Sequence, residues 1–399
     1  MLFGDEQQIS FHPRQTSWGP VCADVSLSDE DKERYSRHLV LSEFGARGQE
    51  QLGRARVLVV GVGGLGSPAA LYLAAAGVGT LGVLDSDRVE LSNLQRQVLF
   101  DSASVGTEKA IAARDRLLAL NPSIQVIAHT VELTAANARQ LLADYDLIVD
   151  GTDRLATRYL INDACVLLGK SLVSAAIYRF EGQAFSYVPG RGPCYRCAFP
   201  QPAIEAAPSC AEAGVLGVLP GVLGAIQATE ALKLITGIGE PLIGRLLTYD
   251  ALEMRFRDLK VQARSDCAVC GTQPSITELR SVTGSGPHST VAIRRLTPPA
   301  LQTLMDAGGT ATLRIIDVRE PHEFALGHLR SATNIPLGGL PARLSELRNG
   351  AMVVFVCRSG ARSARAAEQA IEAGLAEVAH LEGGLLAWAA RCDPKLQLA

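Results

Sequence analysis

Three groups of residues in this 399-residue sequence have types and spacing that could do chemistry. The first is Gly61-Val62-Gly63-Gly64-Leu65-Gly66, which follows a strand-like apolar run and opens a helical one. In that context backbone N–H groups and the helix dipole bind phosphate. Asp85 closes the next strand-like run, 24 residues after Gly61, where a carboxylate can bond a ribose hydroxyl. A nicotinamide dehydrogenase would read the same to this point. Asn93, Gln95, Arg96 and Lys109 then add amides and cations, a supply of positive charge that suits a triphosphate under attack and that nicotinamide does not need. Asp150-Gly151-Thr152-Asp153 ends a further strand-like run, the edge where open α/β sheets place ligands. Its two carboxylates suit Mg²⁺, which takes few protein oxygens beside phosphates. Asp153 also stands where it can cap the helix starting near Leu155.

The second and third groups are cysteines. Cys194-Tyr195-Arg196-Cys197 and Cys267-Ala268-Val269-Cys270 form a pair of CxxC knuckles on loop-like sequence. Together they offer the four thiolates that structural zinc, Zn²⁺, prefers. A redox CxxC normally opens a helix after a strand, and neither knuckle reads that way. Cys357 is delivered by the strand-like Val353 to Val356 and is followed by Arg358, Ser359, Gly360, Ala361, Arg362 and Ser363, where a helix begins. Backbone N–H groups and guanidinium are expected to converge on this one sulfur. Such a cradle lowers a thiol pKa and stabilises a persulfide anion. Phosphatase loops share the logic, so the loop alone does not separate the two chemistries. Cys210 lies in Pro208-Ser209-Cys210-Ala211-Glu212-Ala213-Gly214, a turn entering an apolar segment, where an inert buried thiol is as reasonable as a reactive one. Cys22, Cys165 and Cys392 read as packing or tail residues, and His322 and His328 as structural hydrogen-bonders.

The elements that must position these groups alternate. Residues 1–27 read as an N-terminal tail. A helix begins at Ser28 with an acidic first turn and carries Arg34 and Arg37. Strands are expected over 56–60, 80–85, 124–130 and 146–150, with helices over 67–77, 107–120 and 134–143. This βαβ alternation implies a mostly parallel sheet covered by helices. Residues 272–291 lose all periodicity and read as a linker whose Gly, Ser and Pro content allows movement. A smaller α/β unit follows, with strands over 312–318, 351–357 and 376–381 and helices from 297, over 339–347 and over 362–373. The net charge of −3 and 47% hydrophobic content argue against disorder and against a nucleic-acid surface. The uncharged run Val57 to Leu84 is interrupted by seven glycines and Pro68, so it reads as strand, turn, helix and strand, and no membrane span is expected. The apolar run from Ala213 to Thr229, broken by Pro220, reads as close-packed helix ends. Nine cysteines without an N-terminal apolar segment point to a reducing, cytoplasmic setting.

Arg34-Tyr35-Ser36-Arg37, the glycine turn to Pro68, Leu91 to Gln97, Gly106 to Lys109 and Asp150 to Asp153 resemble the MoeB/ThiF family of ubiquitin-activating-like adenylyltransferases over about 28–271. The resemblance implies a Rossmann-like adenylation domain that uses ATP and Mg²⁺ to adenylate the C-terminal Gly-Gly of a ubiquitin-like sulfur-carrier protein. Asp85 would hold the ribose, Arg96 and Lys109 the phosphates and Asp153 the magnesium. Arg37 would reach the neighbouring subunit's nucleotide, which implies a homodimer. The knuckles match the family's zinc site, and Cys210 matches the position of its reactive thiol. Where the family usually has Asn, this chain has Arg154. Asp317-Val318-Arg319-Glu320, His322-Glu323-Phe324, Gly327-His328, Asn334-Ile335-Pro336 and Gly383-Gly384 resemble a rhodanese, expected over 292–399, although Arg330-Ser331 replaces its usual Pro-Gly. The fusion resembles sulfur-carrier activating enzymes of the MoeZ/MoeBR type. It implies transfer of a persulfide sulfur from Cys357 to the adenylated carrier, with thiosulfate or a cysteine desulfurase as donor. The product would be a C-terminal thiocarboxylate for molybdopterin, thiamine, tRNA thiolation or a related sulfur pathway.

Overall fold

Short apolar runs without polar alternation suit strands buried on both faces, as parallel sheets require. In a computed structural model, which describes residues 27–200, 214–280, 293–307, 313–348 and 350–398, three such runs become β1 (Arg56–Val60), β2 (Thr80–Leu84) and β4 (Leu147–Asp150). With β3 (Gln125–His129), β5 (Ser171–Tyr178), β6 (Glu181–Tyr187), β7 (Arg245–Asp250) and β8 (Arg255–Lys260) they form an eight-stranded sheet of order β3-β2-β1-β4-β5-β6-β7-β8. Val60 pairs with both Leu84 and Asp150. The three strands therefore end in register, and Gly61, Asp85 and Gly151 leave the sheet side by side.

The sheet is parallel only as far as β5, whereas β5 to β8 pair antiparallel. The sequence concealed this half because its turns lack the usual glycine or asparagine. The β5–β6 turn puts Arg179 at φ 55°, and the β7–β8 turn puts Met254 at φ 50°. In the latter, Asp250 accepts from the N–H groups of Leu252 (2.9 Å) and Glu253 (3.2 Å) in place of turn glycine. A second difference concerns Pro220. It does not break the apolar segment; it sits in the first turn of one 18-residue helix, Leu219–Thr236, where its missing N–H costs nothing. A third is the helix expected from residue 134. It begins at Ala138 because Asn137 accepts from the Thr134 N–H and donates to the Glu132 carbonyl, holding a turn instead.

The first helix forms as its sequence suggests, Ser28 accepting from the Asp31 N–H at 3.1 Å in a capping box. Gly66 opens the helix Gly66–Ala75 directly under the glycine turn. A Cβ at Gly66 would stand 1.9 Å from the Gly61 carbonyl oxygen, so only glycine allows this approach. Packing continues past Gly271: the Ile276 N–H donates to the Ala268 carbonyl, and Ile276 and Leu279 rest on the core around the cysteine knuckles. No helix among the described residues is long and apolar enough to cross a membrane.

The chain divides into two compact units, residues 1–285 and 286–399. The second holds a parallel sheet of order β11-β10-β12-β13-β9, comprising β9 (Arg294–Leu296), β10 (Leu313–Asp317), β11 (Ala332–Asn334), β12 (Met352–Val356) and β13 (Val378–Leu381). Along β12 the side chains alternate between two cores, Val353 and Phe355 into one, Val354 and Val356 into the other. Asp317 and Arg319 are fully buried as an ion pair at 2.7 Å, and Arg319 also donates to the Gly327 carbonyl.

Trp18 and Trp388 are the chain's two indoles, so in a Trp18→Phe background fluorescence follows Trp388 and the unfolding of this unit. Arg319→Met leaves the Asp317 charge buried without its partner and is expected to cost about 3–5 kcal/mol in that transition. A loss of less than about 1 kcal/mol, taken as the urea midpoint shift multiplied by m, would mean that Asp317 does not stay charged and buried once Arg319 is removed.

Candidate functional site

The three aligned strand ends open onto a cleft whose wall includes Gly61, Gly63, Gly64, Asp85, Arg96, Lys109 and Asp153. One Asp85 oxygen accepts from the Val62 N–H at 3.0 Å and the other from the Asp87 N–H at 2.9 Å, tying the glycine turn to the end of β2. Burial raises the Asp85 carboxyl pKa, against the opposing pull of Lys109. Lys109 is nearly buried and reaches Asp87 at 3.0 Å. It begins the helix Lys109–Leu120, and its N–H donates to the Asp87 carbonyl, so side chain and backbone are held together. Arg96 is half-buried and donates to the Ser92 carbonyl at 3.2 Å.

Asp150 and Asp153 have different work. Asp150 is fully buried, and its carboxylate accepts from Arg158 Nε (2.9 Å), Ser174 Oγ (2.7 Å) and the Thr152 N–H (3.0 Å). Arg158 donates further to the Thr152 and Ala175 carbonyls. Burial opposes the Arg158 charge, but Asp150 and Tyr195 together offset it and raise the pKa. The paired-carboxylate expectation is thereby corrected: Asp150 is spent on scaffolding, and Asp153 alone of the two is exposed in the cleft. Nor does Asp153 cap the following helix, Leu155–Leu168, since Arg154 occupies the N-cap position and no side chain caps it. That leaves the Asp153 carboxylate available to a hard cation. The Arg154 guanidinium pairs with Glu132 across the cleft mouth, both side chains exposed.

Other expected residues stand off the wall. Asn93 accepts from the Glu90 N–H at 3.3 Å and closes a short 3₁₀ turn. Gly66 acts through the close approach described above. Arg37 is exposed on the turn Ser36–Leu39 and is absent from the cleft of its own chain. Conversely, the wall contains Gln97, buried with its Oε1 unpartnered, and Arg158. Sequence reasoning assigned neither a role. Arg158 lies eight residues past Asp150, beyond any short motif.

The four knuckle sulfurs lie within 4.8 Å of one another. Cys194 and Cys267 are 3.6 Å apart, Cys197 and Cys270 3.4 Å. Thiolates bound tetrahedrally at about 2.3 Å need separations of this size, so the residues fit zinc. Burial and the neighbouring sulfurs push the Cys194 thiol far up and Cys270 to about 12, a cost that a divalent cation would remove. Contrary to the loop-like reading, Cys194 opens a one-turn helix, Tyr195–Ala198. Arg196 anchors that turn, forking onto Asp163 with both bonds at 2.7 Å and lying 4.7 Å over the Tyr159 ring. Buried Cys165 is pushed far up by desolvation and is a packing residue.

In the second unit β12 delivers Cys357, which is 1% exposed. Its Sγ accepts from the N–H groups of Gly360 (3.2 Å) and Ser363 (3.3 Å), with Ser363 Oγ at 3.6 Å. Gly360 has φ 100°, a conformation that turns its N–H inward and that a side chain would strain. The helix Gly384–Arg391 holds the loop from behind, Leu385 and Leu386 donating to the Cys357 and Arg358 carbonyls. Arg358 and Ser359 are exposed, and Ala361 starts the helix Ala361–Glu372. One expectation changes here: the Arg362 guanidinium is held in a fork by Glu323. His328 accepts its structural role, bonding the Phe324 carbonyl and stacking on that ring. Cys210 lies outside the described residues.

The cysteine cluster makes a direct expectation. Metal analysis of the purified chain should find about one zinc per chain, and Cys194→Ser should abolish it. Because thiols raised by burial must lose their protons to bind, zinc should be released as the pH falls. Retention of metal by the Cys194→Ser variant would place it elsewhere.

Residues 35–269 match the ThiF family model and residues 297–391 the rhodanese-like domain model. The chain is 45% identical to the probable adenylyltransferase/sulfurtransferase MoeZ of Mycobacterium tuberculosis, over 96% of this chain and 99% of that protein. It is 41% identical to the adenylyltransferase and sulfurtransferase MOCS3 of Aedes aegypti, over 93% and 90%. It is 55% identical to the sulfur carrier protein adenylyltransferase of Thermus thermophilus, which covers 63% of this chain and 94% of that one. Its fold is shared with E. coli MccB crystallised with ATP, at 24% identity and a TM-score of 0.55, over 60% of this chain and 73% of that one. The chain belongs to the ThiF family and carries a rhodanese-like domain after its nucleotide-binding unit.

Proposed function

We propose that the chain activates the C-terminal glycine of a ubiquitin-like sulfur-carrier protein with ATP and then converts it to a thiocarboxylate. The observation that carries this reading is the presence, in one chain, of a cleft at three aligned strand ends lined by both cations and carboxylates, and of a cysteine sulfur cradled by backbone N–H groups. The names of the relatives agree with it.

In the first stage a carrier carboxylate oxygen attacks the α-phosphorus of ATP, pyrophosphate leaves, and an acyl-adenylate forms. Lys109 and Arg96 are the cations we assign to the phosphates, and Asp85 the carboxylate assigned to the ribose. Asp153 would hold Mg²⁺, which supplies charge neutralisation on the phosphates when bound. The glycine turn, fixed by Asp85, offers its N–H groups without having to reorganise. Arg37, exposed and off its own cleft, fits the reading that it serves a neighbouring subunit's nucleotide in a homodimer. Zinc held by Cys194, Cys197, Cys267 and Cys270 would staple the segment after Pro193 to the end of the unit.

In the second stage Cys357 takes a sulfane sulfur from thiosulfate, releasing sulfite, or from a persulfide such as a cysteine desulfurase carries, releasing a thiol. The outer sulfur attacks the acyl carbon and AMP departs with the electron pair of the broken C–O bond. A second thiol, the role we give Cys210, then opens the acyl disulfide, frees the thiocarboxylate and leaves a Cys357–Cys210 disulfide that a dithiol reductant resets. We assign the reaction to a reducing compartment, the cytoplasm, in which such thiols stay reduced.

The test is mass spectrometry of a Gly-Gly-ending carrier incubated with the protein, Mg-ATP and thiosulfate. Replacement of one carboxyl oxygen by sulfur is expected, and it should vanish with Cys357→Ala while carrier-dependent pyrophosphate release continues. Asp153→Ala should lower carrier-dependent pyrophosphate release at least about 100-fold and leave thiosulfate-to-cyanide sulfur transfer unchanged. Loss of both activities in that variant would refute the division of labour between the units.

A further inference from the structure

Four parallel strands of the nucleotide-binding unit end level with one another, since Val60 pairs with Leu84 and Asp150, and Leu84 with His129. The cleft over those ends passes from one face of the sheet to the other. On the first face lie the elements that carry the groups given to the phosphates. The glycine turn leads into the helix Gly66–Ala75 and Lys109 opens the helix Lys109–Leu120, and Ala69, Leu73, Ala110 and Ala113 of these helices share one core. On the second face Leu84 and Leu133 share a different core with Tyr159 and Leu160 of the helix Leu155–Leu168. Glu132 comes just before Leu133 in the turn after β3, and Arg154 just before that helix. Their ion pair therefore bridges the cleft on the side away from the phosphate cations, with exposed Val131 on the wall beside it.

Both side chains of the pair are 58% exposed, and an ion pair so placed contributes little to folding. It does hold a guanidinium by hydrogen bonds made in the plane of that group, which leaves the flat faces of the group free. A nucleotide laid along the cleft has its phosphates at the glycine turn and its ribose at Asp85, so the part that reaches Glu132 and Arg154 is the base. A purine offers a flat π surface on which a guanidinium stacks. We propose that Arg154 is a base-recognition residue of the nucleotide cleft, its guanidinium covering the purine, and that Glu132 is the positioning residue that holds it there. The inference rests on the nucleotide reading above. It gives work to the one position of that loop where this chain has Arg in place of the usual Asn.

Calorimetric titration with Mg-ADP and with Mg-pyrophosphate separates the base from the phosphates, because both ligands carry a diphosphate and only the first carries a nucleoside. Arg154→Asn should weaken ADP about tenfold and leave pyrophosphate within about twofold. In saturation-transfer NMR of bound ADP, the same variant should lower the adenine H2 and H8 signals relative to ribose H1′. Glu132→Gln should weaken ADP about threefold, and it should add less than about twofold in the Arg154→Asn background because it acts through Arg154. Equal weakening of both ligands would make Arg154 a phosphate cation, and unchanged affinity for both would leave the pair a surface contact only. A signal lost at H1′ instead of the adenine protons would put the contact on the ribose, and a full further loss in the double variant would separate Glu132 from Arg154. Each of these results overturns the proposal. If the unchanged chain binds neither ligand, it is the nucleotide reading that fails, and this inference falls with it.

Discussion

The nucleotide-binding unit depends on one buried ion pair. Asp150 and Arg158 sit where β4 gives way to a loop, and a carboxylate placed there without Arg158 would carry an uncompensated charge in the core. With Arg158 in place, the guanidinium has donors left for the Thr152 and Ala175 carbonyls, so the loop and the neighbouring strand β5 are tied to the same group. Gln227 adds a bond from the helix Leu219–Thr236 to the Asp150 carbonyl. These bonds tie the turn 151–153 to β5 and to the helix Leu219–Thr236, and Asp153 and the glycine turn share the wall of the cleft. Asp153 stands exposed on the cleft wall, while Asp150, which holds the turn behind it, is fully buried.

The two sulfur sites show what burial does to a thiol when different groups surround it. At the knuckles desolvation raises Cys194 and Cys270, and although it pushes Cys267 up too, the N–H groups of Cys270 and Val269 bring that thiol below its ordinary value. At Cys357 the sulfur is as buried as at Cys194, and backbone N–H groups point at it from the loop and the helix start. Those donors stabilise negative charge on sulfur without adding a full positive charge. A metal site and a transfer site thus differ in what stands around the sulfur rather than in depth.

Much of this was legible in the sequence. The glycine turn, Asp85, Lys109 and the loop after Cys357 announce themselves because their chemistry is local: a strand end, a turn and a helix start within a few residues. The parallel strands were equally plain as uninterrupted apolar runs. The antiparallel half of the sheet was not, since Arg179 and Met254 adopt positive φ where glycine or asparagine is the usual signal. Three pairings were also hidden, Asp150 with Arg158, Asp163 with Arg196 and Glu323 with Arg362, because each joins residues that only the fold brings together. A carboxylate read alone looks like a metal ligand or a cap, and an arginine read alone looks like an anion site. Which of them remains available is settled by its partner.

That rule separates the cations of the two units. In the nucleotide cleft, Lys109 bonds an Asp87 that is itself more than half exposed, so water weakens the pairing and an arriving polyphosphate can compete for the ammonium. At the rhodanese-like site, Arg362 and Glu323 share a dry environment in which neither charge can be withdrawn cheaply. Adenylation needs the first arrangement, because negative charge on the phosphates must be met by cations able to change partners as pyrophosphate departs. Sulfur transfer needs the second, because a sulfur held by fixed N–H dipoles must be released again to the acyl group.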